Sequence, residues 1–197
     1  MAVRPIIYLD NPVLRKKARR VQDFDGRLHS LLDDMLETMD RAAGLGLAAP
    51  QVAVSERVIV VRLPGDEDWQ EEYGDQAGRL YEVVNPQIIK ASRDMEEGIE
   101  GCLSIPGYVG RVLRHQAVTI RGQDRHGKDI RIKATGWLAR VFQHEIDHLD
   151  GILYIDRATE VWKLEEKPSS ERKREAARIE GAVLSEEDPP ARGHNTP

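Results

Sequence analysis

Gln143-His144-Glu145-Ile146-Asp147-His148-Leu149-Asp150-Gly151 sets a His-Glu-x-x-His pattern inside a run with helical periodicity. On a helix, residues four apart lie one turn above each other, so His144 and His148 can aim two imidazole nitrogens at one point. Two aligned imidazoles make half of a tetrahedral metal site. Glu145 is one residue round from His144, which puts its carboxylate beside such a metal, ready to take a proton from a water there. This is the chemistry of metal-assisted hydrolysis. The competing reading is two histidines that fall at this spacing on a solvated helix face.

The surrounding residues extend the pattern. Gly136 precedes the helix, within which Trp137, Val141, His144 and His148 share one face while Leu138, Phe142, Glu145 and Leu149 share the next. The metal face therefore continues into an apolar patch, and Trp137 and Val141 either line a side-chain pocket or pack in the core. A metal with an open position needs a third protein ligand. Downstream, Glu160, Glu165 and Glu166 stand in a polar stretch, and the next histidine after Gly151 is the distant His194. Upstream stands the one cysteine, Cys102, in Glu100-Gly101-Cys102-Leu103-Ser104. A lone cysteine is commonly a small buried hydrophobe, yet beside such a helix its thiolate is a strong soft ligand for Zn or Fe(II). The residue types alone leave the third ligand open.

A third stretch, Gly44-Leu45-Gly46-Leu47-Ala48-Ala49-Pro50-Gln51, bears on that choice. With GxGLAAPQ, EGCLS and QHExDHLxG in this order and at these separations, the chain resembles the peptide deformylases. These hydrolases remove the formyl group from the N-terminal formyl-methionine of new bacterial and organellar polypeptides. The resemblance covers the chain to about residue 157. It implies Cys102, His144 and His148 as ligands of one divalent metal, Fe(II), with Zn(II), Ni(II) or Co(II) able to take its place. It implies Glu145 as the acid and base, with the Gln51 amide and the Leu103 backbone N–H as donors to the oxyanion that develops on the formyl oxygen. Leu45, Gly46 and Gly101 would bind the peptide, and Trp137 and Val141 the methionine side chain. The implied partners are N-formylmethionyl nascent peptides met by a monomer, with a contact to the ribosome near the exit tunnel left open. Three other readings compete: a related metallohydrolase acting on another acyl or amide substrate, a non-catalytic ribosome-associated family member, and Cys102 as a nucleophile with a histidine base.

The rest of the chain sets bounds. Its 197 residues suffice for one domain with a sizeable core. A net charge of −5 argues against a nucleic-acid surface built on bulk positive charge. One cysteine forms no internal disulfide, so the fold does not depend on an oxidising compartment. The apolar run before Asp10 is too short for a signal-peptide core, and no run reaches membrane-spanning length. These bounds fit a cytoplasmic protein without a membrane part.

Periodicity and turn residues predict the elements. Asn11-Pro12 reads as a helix start. Leu28, Leu31, Leu32, Met35, Leu36 and Met39 form a helical core stripe that Gly44 and Gly46 end through a C-cap and a turn, with GLGLAAPQ as a tight helix-to-strand connection. Residues 57–63 read as a buried strand and 64–78 as a surface loop anchored by Trp69 and Tyr73. Two strands, 80–84 and 87–91, are separated by Asn85-Pro86, and 92–98 is a charged turn. Residues 103–107 read as an extended segment able to pair with a peptide at the mouth of the site. Residues 112–122 and 128–135 form a hairpin about Asp124-Arg125-His126-Gly127. The expected organisation is a catalytic domain over 1–157 and a charged tail over 158–197, helical from about Glu171 to Leu184 and disordered at its end. The fold class is α+β, with antiparallel or mixed sheets surrounding a central helix that bears the His-Glu-x-x-His pattern.

Overall fold

The computed structural model describes residues 2–164. The chain forms α1 (Gly26–Arg41), β1 (Gly46–Ala48), β2 (Val58–Arg62), α2 (Glu67–Tyr73), β3 (Leu80–Ala91), β4 (Met95–Gly101), β5 (Tyr108–His115), β6 (Ala117–Gln123), β7 (Asp129–Thr135), α3 (Gly136–Leu149), α4 (Tyr154–Arg157) and β8 (Glu160–Lys163). Five strands make one antiparallel sheet in the order β1-β2-β3-β6-β7, and three make a second in the order β4-β5-β8. The class is α+β.

The continuous apolar run of β2 belongs to a strand covered on both faces. Ile59 and Val61 pack with Leu138, Phe142, Ile146 and Leu149 of α3. Val58 and Val60 pack with Leu28, Leu32, Met35 and Met39 of α1. The five-stranded sheet thus lies between α1 and α3. The opposite side of α3 meets the smaller sheet, where Leu14, Cys102, Val112, Leu153 and Tyr154 form a third apolar cluster. His144 and His148, on that side, face β4 and the turn that follows it.

Several elements differ from the sequence reading. The helix start at Asn11-Pro12 is a single 3-10 turn, Pro12–Arg15, capped by Asn11. The residue that turns left-handed after α1 is Ala43 (φ 55°) rather than Gly44 or Gly46. The GLGLAAPQ connection holds the strand β1 and a 3-10 turn, Ala49–Val52. The surface loop 64–78 contains α2, whose Trp69 and Tyr73 rings stack 5.3 Å apart. Asn85 and Pro86 do not divide two strands: β3 runs through them, with Asn85 left-handed (φ 54°) at a register shift. Asparagine tolerates that backbone. Its side chain is held at both ends by Val21, accepting from the N–H and donating to the carbonyl. The charged turn 92–98 is mostly β4, and 103–107 is a pair of turns rather than an extended segment. The hairpin's first arm breaks at Gln116, because 108–115 and 117–123 belong to different sheets. Beyond residue 157, β8 pairs with β5, so the folded unit runs to Lys163. The helix expected over Glu171 to Leu184 lies outside the described residues.

Candidate metal centre

Gly101 is the last residue of β4 and pairs with Val109, which delivers Cys102 to the end of the strand, buried against α3. The ring centroids of His144 and His148 are 5.0 Å apart. One ligating atom from each of Cys102, His144 and His148 can be chosen so that all lie within 4.8 Å of one another. Cys102 Sγ is 3.2 Å from His148 Nε2. A tetrahedral ion with a sulfur at about 2.3 Å and a nitrogen at about 2.0 Å holds those two atoms about 3.5 Å apart. One thiolate and two imidazoles at this separation fit a divalent metal, and burial pushes His148 well below the usual imidazole range, which suits it to ligation as the neutral ring.

A carboxylate orients the ring of His144. Glu100 Oε2 accepts a hydrogen bond from His144 Nδ1 at 2.9 Å, which fixes the tautomer with Nε2 free to ligate. Glu100 is in turn held by Arg114, whose Nε and Nη2 each donate at 2.9 Å, and by Arg140 Nη1 at 2.9 Å. Burial alone would raise the Glu100 carboxyl. The hydrogen bonds from Arg114 and His144 outweigh it and hold the group well below the usual carboxylate range. Asp147 continues the network, accepting from Arg114 and from Arg157.

Glu145 has the opposite character. Burial pushes its carboxyl up to about 7. Its Oε2 has no hydrogen-bond partner among the described residues. The carboxylate lies against Gly46, where a Cβ would stand 2.7 Å from Glu145 Cγ. Gln51 is fixed at the other wall. Its Oε1 accepts from Ala48 N at 2.8 Å, so Nε2 is turned toward Cys102 Sγ (3.5 Å) and Ser104 Oγ (3.3 Å). The chain's N-terminal stretch pins both loops, since Ile7 N donates to Gln51 O and Leu9 N to Ser104 O.

Gln51, Cys102, His144 and Glu145 line one cleft of about 430 Å³, its open mouth included. Leu45, Gly46, Gly101 and Leu103 line it too, with Trp137 and Val141 on its helical wall. Val141 also belongs to the main apolar cluster and Trp137 packs against it, so pocket lining and core packing coincide. His148 is buried beside Cys102. Glu160 is elsewhere, on β8 beside Arg111, and Glu165 and Glu166 lie outside the described residues. Sequence reasoning missed Glu100, Arg114, Arg140, Asp147 and Ser104. One signal for Glu100 was available: a metal-bound histidine almost always donates its second ring N–H, and Glu100 is the acid nearest Cys102 in sequence.

Comparison with known proteins gives a consistent answer. The family model described as polypeptide deformylase matches residues 3–163. Among curated relatives, the peptide deformylase of Symbiobacterium thermophilum is 48% identical over 179 residues, 91% of this chain and 77% of its own length. That of Natranaerobius thermophilus is 47% identical, covering 84% of this chain and 99% of its own. Among solved structures, peptide deformylase from Thermotoga maritima aligns at 36% identity and TM-score 0.73, over 81% of this chain and 100% of that one. The Ehrlichia chaffeensis peptide deformylase, solved in complex with actinonin, aligns at 36% identity and TM-score 0.74 over 90% of this chain and 94% of that one. Sequence match, fold and the three converging candidate ligand side chains agree: the chain belongs to the polypeptide deformylase family.

Proposed function

We propose that this protein is a metal-dependent hydrolase that removes the formyl group from the N-terminal formyl-methionine of nascent polypeptides, releasing formate. One observation carries the reading. A buried carboxylate with a free oxygen, Glu145, shares a cleft with a Cys-His-His set whose ligating atoms lie within 4.8 Å of one another. When bound by Cys102, His144 and His148, a divalent metal supplies positive charge that acidifies a water and polarises the formyl carbonyl.

The chain's own residues do the rest. Glu145, with its carboxyl raised to about 7 by burial, is suited to accept the water's proton as attack proceeds and to give it to the leaving amine. Gln51 Nε2, held in place through the Ala48 hydrogen bond to Oε1, donates to the oxyanion that develops on the formyl oxygen. The Leu103 backbone N–H is its partner donor in this reading. Leu45, Gly46 and Gly101 take the peptide backbone, and Trp137 and Val141 take the methionine side chain. We assign Fe(II) as the working metal, with Zn(II), Ni(II) or Co(II) able to use the same ligands. A thiolate places negative charge on the metal and lowers its Lewis acidity, which suits Fe(II) and leaves the site open to oxidation. The reading extends to a monomer working in the cytoplasm near the ribosomal exit tunnel, which rests on the substrate being a nascent chain. No helix among the described residues is long and apolar enough to cross a membrane.

The test is formate release from a formyl-methionyl tripeptide, with its acetyl counterpart alongside, by protein loaded with Fe(II) or Co(II) without oxygen. The expected result is formate at one bound metal per chain, none after chelation, and recovery on adding metal back. One bound metal and no formate would overturn the substrate assignment.

A further inference from the structure

Arg140 occupies an unusual place for a cation. It lies on the buried side of α3, 6% exposed, and lines the same cleft as Trp137, Val141 and His144. Its guanidinium reaches away from the helix toward the smaller sheet. Nη1 donates to Glu100 Oε1 and to Val112 O, both at 2.9 Å, and Nη2 donates to Glu96 O at 2.7 Å. Room for the group comes from one residue. A Cβ on Gly98, which pairs with Val112, would stand 2.7 Å from the guanidinium carbon, 2.8 Å from Nη2 and 2.9 Å from Nε. A side chain there would force the guanidinium to move from this seat. The Trp137 ring, with its centroid 5.5 Å from that carbon, covers the group from the helix side.

Glu100 already receives a two-pronged bond from Arg114 on Nε and Nη2. Arg114 also donates to Asp147, so Arg140 shares in neutralising Glu100, but charge is not all that it contributes. What Arg140 adds is a second direction of constraint. Oε1 is held from two sides, so the carboxylate plane cannot swing about its Arg114 axis, and Oε2 stays aimed at His144 Nδ1, 2.9 Å away. Partners behind a metal-binding histidine typically change metal affinity by about 10–100-fold when removed.

We propose that Arg140, seated in the space left by Gly98, is a positioning residue for this site. Through Glu100 it fixes the ring of His144 for metal binding, and as part of the cleft wall it ties that ring to the shape of the side-chain pocket. The inference rests on the deformylase reading only for the identity of the substrate; the effect on metal binding stands without it.

Three variants of the full chain test it: Arg140→Met, which keeps length and loses the donors, Arg140→Lys, which keeps the charge and loses the planar fork, and Gly98→Ala, which fills the seat and leaves Arg140 untouched. Each is titrated with Co(II) against a chromophoric chelator, and the visible Co(II) absorption spectrum and thermal unfolding are recorded. The expected result is affinity lowered about 10-fold or more in Arg140→Met and in Gly98→Ala, with a shifted Co(II) spectrum and a smaller loss in Arg140→Lys. The double variant Gly98→Ala/Arg140→Met should bind Co(II) no worse than the weaker single variant, because both act on one contact. With the formyl-methionyl peptide, the Met variant should raise KM as well as lower kcat. Wild-type affinity and spectrum in folded Gly98→Ala and Arg140→Lys would overturn the proposal, as would additive losses in the double variant. Failure of the wild type to release formate would count against the proposed substrate alone.

Discussion

Gly46 shows how one missing side chain sets the chemistry. Its backbone is ordinary strand, yet a Cβ there would stand 2.7 Å from Glu145 Cγ and 2.8 Å from Cδ. Glu145 can lie flat against β1 only because nothing projects from that position. Gly46→Ala should push the carboxylate off its line without touching a metal ligand, lowering formate release by about 100-fold while metal content stays at wild type. An unchanged rate would show that the carboxylate's placement against β1 does not matter. At this scale much of the site was legible. His144, Glu145 and His148 stand out because ligation and proton transfer call for particular residue types at particular spacings, whereas Cys102 as third ligand came only with the family resemblance. Glu100, Arg114 and Arg140 did not. Their roles depend on partners in distant elements, and a charged residue in a strand or helix gives no periodic sign that its charge is buried.

At the scale of elements, α3 begins with help from a segment read as loop. The Thr135 side chain makes no capping hydrogen bond, and the N–H of Trp137 instead donates to Tyr73 Oη at 3.0 Å. Tyr73→Phe should leave that donor unsatisfied in a half-buried place and cost about 1–2 kcal/mol, read as a lower midpoint in urea with an unchanged slope. No change in midpoint would mean that water or another acceptor serves α3 equally well. Helix α2 is hard to read in the sequence because it carries only two aromatic anchors among acidic residues and a glutamine, too few for a periodic stripe. Strand β4 escaped for a related reason. Its Glu96, Glu97 and Gly98 suggest a turn, whereas the structure uses Gly98 to admit Arg140 and turns the glutamate at 100 inward. The stripe of α1 and the apolar run of β2 were readable because burial on a regular face leaves a regular pattern.

For the whole molecule, the two sheets and the helix between them form one unit that closes through β8. Val109↔Trp162 and Gly110↔Val161 pair β8 with β5, the strand that also carries Arg114. A chain ended after Leu164 should fold and release formate at the full rate. One ended after Arg157 loses the half-buried Trp162 and exposes an edge of β5, and should be less stable by about 2 kcal/mol or more. Equal melting temperatures for the two would contradict the assignment of β8 to the folded unit. Strand β8 is hard to read in the sequence because Glu160-Val161-Trp162-Lys163 is too short for a periodic pattern, and its pairing is set by a strand about fifty residues earlier. If the assembled site hydrolyses a formyl amide with Glu145 moving the proton, removing that carboxylate separates turnover from metal binding. Formate release and bound metal are therefore measured together in the wild type and in Glu145→Gln. Equal metal is expected in both, with a rate about 10²–10⁴-fold lower in the variant. A variant that keeps its metal and the wild-type rate would contradict that role for Glu145.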